Sequence, residues 1–400
     1  MTLPISRRVQ RVKPSPTLAM TARAAALKAE GKDVISLSVG EPDFDTPAPA
    51  AEAGIAAIRS GFTRYTNADG MPELKDAIIE KFRRDHGLTY ARNQILVSTG
   101  AKQTLFNLCL AVLDPGDEVV IPAPYWVSYP DMVLLADGVP VTPYCPAESG
   151  YKLTPAQLEA AITPRTRLLL LNSPSNPTGG VYTRRELEAL GEVLLAHPQV
   201  IVGTDDIYEK IYWGAEPFCS LVTAVPGLYD RTVTINGCSK GYAMTGWRIG
   251  YCGGPREVIA AMATVQGQST TNASSISQKA AVAALRMPDS ALEPMKQAFH
   301  ERHDFFVAGL NAIPGLRCLP CTGAFYAFVD VRGAMQRLGF ADDNAFCEFI
   351  LAEALVAGVP GSGFGAPGHL RLSFACAKET LAEALRRIGA AIAARTAQRA

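Results

Sequence analysis

The 400-residue chain has no surplus of charge of either sign: 38 Lys and Arg stand against 38 Asp and Glu, for a formal net charge of zero. A neutral balance removes the electrostatic case for a nucleic-acid or anionic-membrane partner. No apolar run is long enough to span a bilayer. Arg7, Arg8, Arg11 and Lys13 are not followed by an apolar h-region, so a secretory signal is not expected. Histidine is scarce, at five. Around His300 and His303 there is no acidic or cysteine pattern of ligand spacing, so both are expected on a helix surface and no metal is expected. The nine cysteines are odd in number and scattered, which argues for reduced thiols in a cytoplasm rather than a disulfide frame. Cys318 and Cys321 form a lone CxxC with no second ligand pair and no thioredoxin-like setting. Repeats and low-complexity tracts are absent as well.

What remains is an ordinary soluble composition, 48% hydrophobic and 19% charged, in a chain long enough for two or three domains. Residues 1–45 read as an irregular arm with one amphipathic helix, Leu18 to Glu30, stopped at Gly31. From about residue 46 to 286 helices alternate with strand patterns at Ile95–Ser98, Glu118–Pro122, Val139–Tyr144, Leu168–Asn172, Val200–Asp205, Val233–Asn236 and Ile249–Cys252. Several of these are apolar throughout, as strands buried on both faces of a mostly parallel sheet are. Residues 287–400 form a smaller α/β unit with strands near Ala324–Val329 and Leu370–Phe374, which the arm is expected to join.

Ligands of such a sheet sit beyond the carboxyl ends of its strands. Each strand end offers something different. Thr99-Gly100-Ala101-Lys102 opens a helix, whose free N–H groups and dipole favour a phosphate. Pro124-Tyr125-Trp126 offers an indole, NSPSNPTGG presents Asn172 and Asn176, and Asp205-Asp206-Ile207-Tyr208 offers a carboxylate and a phenol. The stretch TVTINGCSKGYAMTGWRIGYCGG places Lys240 in a loop of small residues and Arg248 eight positions on.

A lysine, a carboxylate, a phenol and a phosphate cradle suit pyridoxal phosphate. The amine forms a Schiff base with the aldehyde, and the ring draws off the electron pair left when a substrate Cα bond breaks. A buried carboxylate beside the pyridine nitrogen keeps that nitrogen protonated. Free lysine titrates near ~10.4, so an amine useful at neutral pH needs help worth about 4 kcal/mol. Arg248 could grip a phosphate with two parallel N–H bonds, and Trp126 could stack on the ring.

SVGEPDFDTP, the Tyr65 region, STGAKQTLFN, PYWVSYP, NSPSNPTG, DDIYE, SKGYAMTGWRIGY, TGAFY and RLSFA occur in this order. With them the chain resembles, nearly end to end, the class I pyridoxal-phosphate aminotransferases of the aspartate aminotransferase branch. The resemblance implies fold type I: a mostly parallel central sheet flanked by helices, with a smaller α/β domain. It implies that Lys240 is the Schiff-base lysine and proton shuttle, Asp205 the partner of the pyridine nitrogen, and Tyr208 the donor to the ring oxygen. Asn176 is similar to the asparagine that contacts the ring oxygen and the substrate carboxylate. Arg248, with Gly100, Ala101 and Lys102, corresponds to the phosphate site, and Arg371, with the N–H of Gly40, to the site of the α-carboxylate. Tyr65 resembles a tyrosine that reaches the neighbouring subunit's phosphate, which implies a homodimer. Gly237 departs from the serine that many relatives carry three before the lysine, so Ser239 or backbone N–H groups are expected to fill that contact. Asp206 stands where glutamate is common, with no expected consequence.

RRVQRVKPSPT and Lys102 resemble bacterial enzymes of this branch, some of which also accept prephenate. Lys13, Thr17 and Lys102 are therefore expected at the distal carboxylate of aspartate or glutamate, in ping-pong exchange with a 2-oxo acid. The rivals are an aromatic or other aminotransferase or a β-lyase on the same scaffold, a non-catalytic cofactor-binding regulator, and a serine hydrolase. The hydrolase reading takes Gly237-Cys238-Ser239-Lys240-Gly241 as a nucleophile elbow with His300, His303 or His369 as base, but the following residues turn into a strand and not a helix. PGSGFGAPG reads as a loop leading to Arg371, since no strand precedes it.

Overall fold

The computed structural model describes residues 3–12, 14 and 16–399. Its strands are β1 (Ile35–Ser36), β2 (Ile95–Ser98), β3 (Glu118–Val120), β4 (Val139–Val141), β5 (Thr166–Asn172), β6 (Ile201–Asp205), β7 (Thr232–Gly237), β8 (Gly250–Gly253), β9 (Arg317–Cys318), β10 (Tyr326–Asp330), β11 (Val356–Ala357), β12 (Val359–Pro360) and β13 (His369–Ser373). Seven of them form one sheet in the order β2-β8-β7-β6-β5-β3-β4. Only β8 runs antiparallel to its neighbours, β2 and β7, and the five strands from β7 to β4 are parallel to one another. Every residue of β2, β3, β7 and β8 is buried, which is why these segments read as unbroken apolar or small-residue runs.

The flanking helices follow from the spacing of their apolar residues. Helix Arg184–Ala196 buries Leu187, Leu190, Gly191 and Leu194 on one stripe, and Thr183 and Glu186 close a capping box at its start. Two strands end earlier than their apolar runs predict. Pro122 and Pro143 carry no N–H, so the β3–β4 ladder stops at Val120 and Val141, although Ile121 and Ala123 still donate to the Val141 and Pro143 carbonyls. β10 begins at Tyr326 rather than Ala324, whose φ of 59° lies outside the extended region.

A four-stranded antiparallel sheet, β12-β13-β10-β9, carries the C-terminal half of the site. The arm joins this region. β1 pairs with β11, and Met20 and Ala24 of helix Pro16–Ala29 enter the core formed by Phe299, Phe306, Phe325 and Leu372. His303 does not lie on the surface. It falls four residues after Phe299 on the apolar stripe of helix Glu293–Asn311 and is buried. Its Nε2 accepts the Cys321 N–H at 2.9 Å, so Nδ1 carries the proton and faces Asp304 at 2.8 Å. His300 is exposed and stacks on Trp213. Among the described residues no helix is long and apolar enough to cross a membrane, and no group of three or more His, Cys, Asp or Glu is arranged to hold a metal ion.

Candidate active site

A cavity of about 360 Å³ opens where β2, β5, β6 and β7 end, closed on its other side by the arm and by β10 and β13. Lys240 enters from the loop after β7, and its ammonium donates to the Gly40 carbonyl. Burial draws that ammonium down to about 8; Glu41 opposes the shift, while Arg371 and Arg248 add to it.

Asp205 ends β6 and is buried. The Tyr129 hydroxyl donates to its Oδ2 at 2.7 Å, and the Ile207 N–H donates to Oδ1 at 3.3 Å. Burial raises the carboxyl to about 6, against the pull of those two bonds and of Lys240. Asn172 ties this strand end to the next: its Nδ2 donates to the Asp205 carbonyl at 2.7 Å and its Oδ1 accepts the Asn176 N–H at 2.8 Å. Tyr208, one turn beyond Asp205, has its hydroxyl 2.8 Å from that of Tyr326.

Arg371 lies on β13, 2% exposed, with its guanidinium between the rings of Tyr326 and Phe364 at 4.6 and 5.1 Å. It donates to Asn176 Oδ1 at 3.0 Å and to the Ser38 carbonyl at 2.6 Å, and its Nε has no partner among the described residues. No carboxylate among the described residues pairs with it. A buried cation held only by neutral groups is costly until an anion arrives.

The helix Ala101–Val112 starts at the same cavity with Gly100 at φ 84°. A Cβ at Gly100 would sit 2.3 Å from Arg248 Nη2, and one at Gly250 would sit 2.2 Å from the Ala101 nitrogen. Glycine at both positions therefore lets the strand, the arginine and the helix start crowd together, at a helix end whose first N–H groups have no partner within the helix. Arg248 is exposed and anchored by a 2.9 Å bond to the Thr245 carbonyl. Lys102 lies over the Trp126 ring at 4.9 Å; burial and the nearby Arg248 both lower its pKa. Neither cation has a carboxylate partner among the described residues.

Of the residues singled out in the sequence, Lys240, Asp205, Tyr208, Asn176, Arg248, Arg371, Gly40, Ala101, Lys102, Trp126, Ser239 and Thr17 all line this one cavity, and Gly100 borders it through Arg248. Thr17 Oγ1 is buried without a partner among the described residues. Lys13 lies outside the described residues. Tyr65 is 92% exposed and does not line the cavity. Gly237 has a local reason: a Cβ there would meet the Ile249 carbonyl at 2.8 Å and Ile207 Cδ1 at 3.0 Å. Asp206 is buried with Oδ2 unpartnered, and burial, Glu209 and Asp205 hold its carboxyl well above the usual range.

Sequence reasoning did not assign Tyr129 or Tyr326. The signal for Tyr129 was its place three residues after Trp126, one helical turn along. His300, His303 and His369 do not line the cavity with Ser239, which leaves the hydrolase reading without a base. A larger cleft of about 710 Å³ lies away from these groups, between Arg84–His86, Lys210–Phe218 and Asp289–His300. Its cations are already neutralised, Lys210 by Asp85 and Asp289, and Lys296 by Glu293.

A lysine loop at the mouth of a mostly parallel, helix-flanked sheet defines a transferase of fold type I. Residues 32–388 match the family model described as Aminotransferase class I and II. An aspartate/prephenate aminotransferase of Nitrosomonas europaea is 55% identical over 96% of this chain and 98% of its own length. An aspartate aminotransferase of Rhizobium meliloti is 52% identical over 96% and 95%. Among solved structures, the aspartate aminotransferase of Rhizobium meliloti superposes with a TM-score of 0.94 at 50% identity, covering 98% of this chain and 99% of that one. The Thermus thermophilus aspartate aminotransferase with maleate gives 0.92 at 44%, covering 98% and 100%. The chain belongs to the class I and II aminotransferases, in the aspartate aminotransferase branch, a family of pyridoxal-phosphate enzymes, and it is a transaminase.

Proposed function

We propose that this transaminase moves the amino group between aspartate or glutamate and a 2-oxo acid in two half-reactions, with prephenate as a further acceptor. One observation carries the reading. A single cavity gathers four cationic side chains, Lys102, Lys240, Arg248 and Arg371, against two carboxylates, Glu41 and Asp205. That surplus calls for anions at separate places: a phosphate, an α-carboxylate and a distal carboxylate. The names of the relatives, and the maleate bound to the Thermus thermophilus enzyme, a dicarboxylate, agree with it.

The donor set fits pyridoxal phosphate. The start of the helix Ala101–Val112, Arg248 and Ser239 would take the phosphate, Trp126 the ring face, and Lys240 the aldehyde. When bound, the ring supplies an electron sink for the pair released at the substrate Cα. Asp205, already drawn toward protonation by burial, would ionise beside a cationic pyridine nitrogen and hold that proton in place, with Tyr129 fixing its far oxygen. Tyr208 and Asn176 would donate to the ring oxygen. Arg371 and the Gly40 N–H would take the α-carboxylate, which orients the Cα proton toward the Lys240 amine. Burial lowers the Lys240 ammonium toward neutral pH, which raises the share of free amine able to accept that proton and return it. Thr17, Lys102 and Lys13 would receive the distal carboxylate. Tyr65, standing clear of its own cavity, would reach the phosphate of a second copy in a homodimer. The nine free cysteines suit a reducing cytoplasm.

The purified protein should carry a visible or near-visible absorbance band that bleaches with aspartate and returns with a 2-oxo acid. Steady-state kinetics with aspartate, glutamate, alanine, phenylalanine and prephenate then rank the substrates. Apolar amino acids outrunning dicarboxylates would remove the role given to Thr17, Lys102 and Lys13. Gel filtration at the mass of a monomer would remove the role of Tyr65.

A further inference from the structure

Tyr326 has no role in that account, yet it is among the largest fully buried side chains and lines the cavity. It touches three parts of the site at once. Its hydroxyl lies 2.8 Å from that of Tyr208. Its ring lies under the Arg371 guanidinium at 4.6 Å. Gly40, whose carbonyl receives Lys240, passes so close that a Cβ there would sit 2.4 Å from the Tyr326 hydroxyl. A phenol has one proton to give. If Tyr208 gives its proton to the cofactor's ring oxygen, the 2.8 Å contact holds only with Tyr326 as donor and Tyr208 as acceptor.

The surrounding charges agree with that direction. Burial pushes both phenols up, and Arg371 on β13 favours proton loss from each, while Asp205 on β6 opposes it at Tyr208. Tyr326 is thus the readier donor of the two. A hydroxyl that accepts one bond while donating another is the stronger donor.

We propose that Tyr326 is a positioning residue that donates its proton to Tyr208, aiming the Tyr208 hydroxyl at the cofactor's ring oxygen and linking it, through the ring, to the arginine that takes the substrate carboxylate. This rests on the cofactor reading given above. The relay predicts a pH signature. A donor at the ring oxygen favours the deprotonated form of the bound chromophore, so weakening that donor raises the pH midpoint of the absorbance band.

The test follows that midpoint in the holoenzyme, with kcat and KM for aspartate, in wild type, Tyr326→Phe, Tyr208→Phe and the double variant. Tyr326→Phe keeps the ring under Arg371 and removes only the hydroxyl. Its midpoint should rise by about 0.5 pH unit, the scale of one ordinary hydrogen bond. Its kcat should fall severalfold and its KM should stay within about twofold. Tyr208→Phe should shift the midpoint further, and the double variant should match Tyr208→Phe, because the Tyr326 proton then has no acceptor to act through. Tyr326→Leu, which also removes the ring, should raise KM.

A Tyr326→Phe midpoint equal to wild type, or a double-variant shift equal to the sum of the singles, overturns the relay and leaves the cofactor reading standing. A Tyr326→Leu KM equal to wild type overturns the link to Arg371. A wild-type protein with no band that answers to aspartate overturns the cofactor reading and the relay with it.

Discussion

The two walls of the cavity are built in opposite ways. On the proposed cofactor side, the helix start at Gly100, the Asp205–Tyr208 turn and the Lys240–Arg248 loop each follow directly from a strand of the central sheet. On the proposed substrate side, Ser38 and Gly40 come from the arm, Tyr326 from β10 and Arg371 from β13, with Ser38 and Arg371 333 positions apart in sequence. The first wall is a set of local motifs on a rigid parallel sheet. The second exists only through pairing: Phe328 opposite Arg371, Val359 on its other side, and β1 against β11. Damage to the first wall should therefore show in chemistry and cofactor binding, and damage to Arg371 on the second in substrate affinity, whereas the Tyr326 hydroxyl, in contact with Tyr208 across the two, should register in the cofactor band and kcat.

The largest effect should come from the first wall. Lys240→Ala should lower kcat by more than about 10³-fold, since the proposed function makes this amine both the cofactor's anchor and the base. The absorbance of the protein after borohydride treatment checks the loss of the covalent link. A Lys240→Ala enzyme with near-normal turnover would dissolve the comparison altogether.

Asp205→Asn should lower kcat by about 10²-fold or more. It should also move stability in a pH-dependent way. Burial raises the folded carboxyl to about 6, above its ordinary 3.8. Between those values the native state holds a proton that the unfolded chain has lost, so stability falls as pH rises through that window. Removing the carboxyl removes this pH dependence, so the stability of the cofactor-free variant relative to wild type should rise from pH 4 to pH 7. Urea melts at the two pH values measure it.

Arg371→Ala should raise KM for aspartate by about 10²-fold, from the loss of the proposed contact with the substrate α-carboxylate, while the cofactor band stays as in wild type. A changed band would show that Arg371, and not only the Tyr326 hydroxyl, acts on the cofactor wall. The smallest effect belongs to their junction. Lys102→Ala should raise KM for dicarboxylates about tenfold and leave phenylalanine within about twofold, read from parallel kinetics.

Much of the first wall was legible because each of its residues stands a few positions past an apolar run, where spacing alone implies the end of a strand. Tyr129 was less legible. Its hydrogen bond to Asp205 spans 76 residues, and nothing in PYWVSYP says which carboxylate it meets. The pairing of Tyr326 with Tyr208 spans 118 residues and depends on how the two sheets are set against each other. His303 was misplaced because it was weighed as a possible ligand; the Phe299-to-Phe306 stripe around it already marked a buried face. Strand ends at β3 and β4 were overrun because the apolar pattern continues through prolines that cannot donate to the ladder.

Alternating apolar runs and strand-end turns, read along the chain, determined a mostly parallel α/β sheet and put a lysine, a carboxylate, a phenol and an anion-binding helix start at its mouth. Those are local properties, set by side-chain period and by backbone N–H groups left over at helix ends. What only the tertiary structure decided is which group faces which. The buried guanidinium without a carboxylate, the two phenols in contact and the four cations around one cavity arise when distant strands pair and shut out water, because burial turns ordinary charges and hydroxyls into groups that require a particular partner.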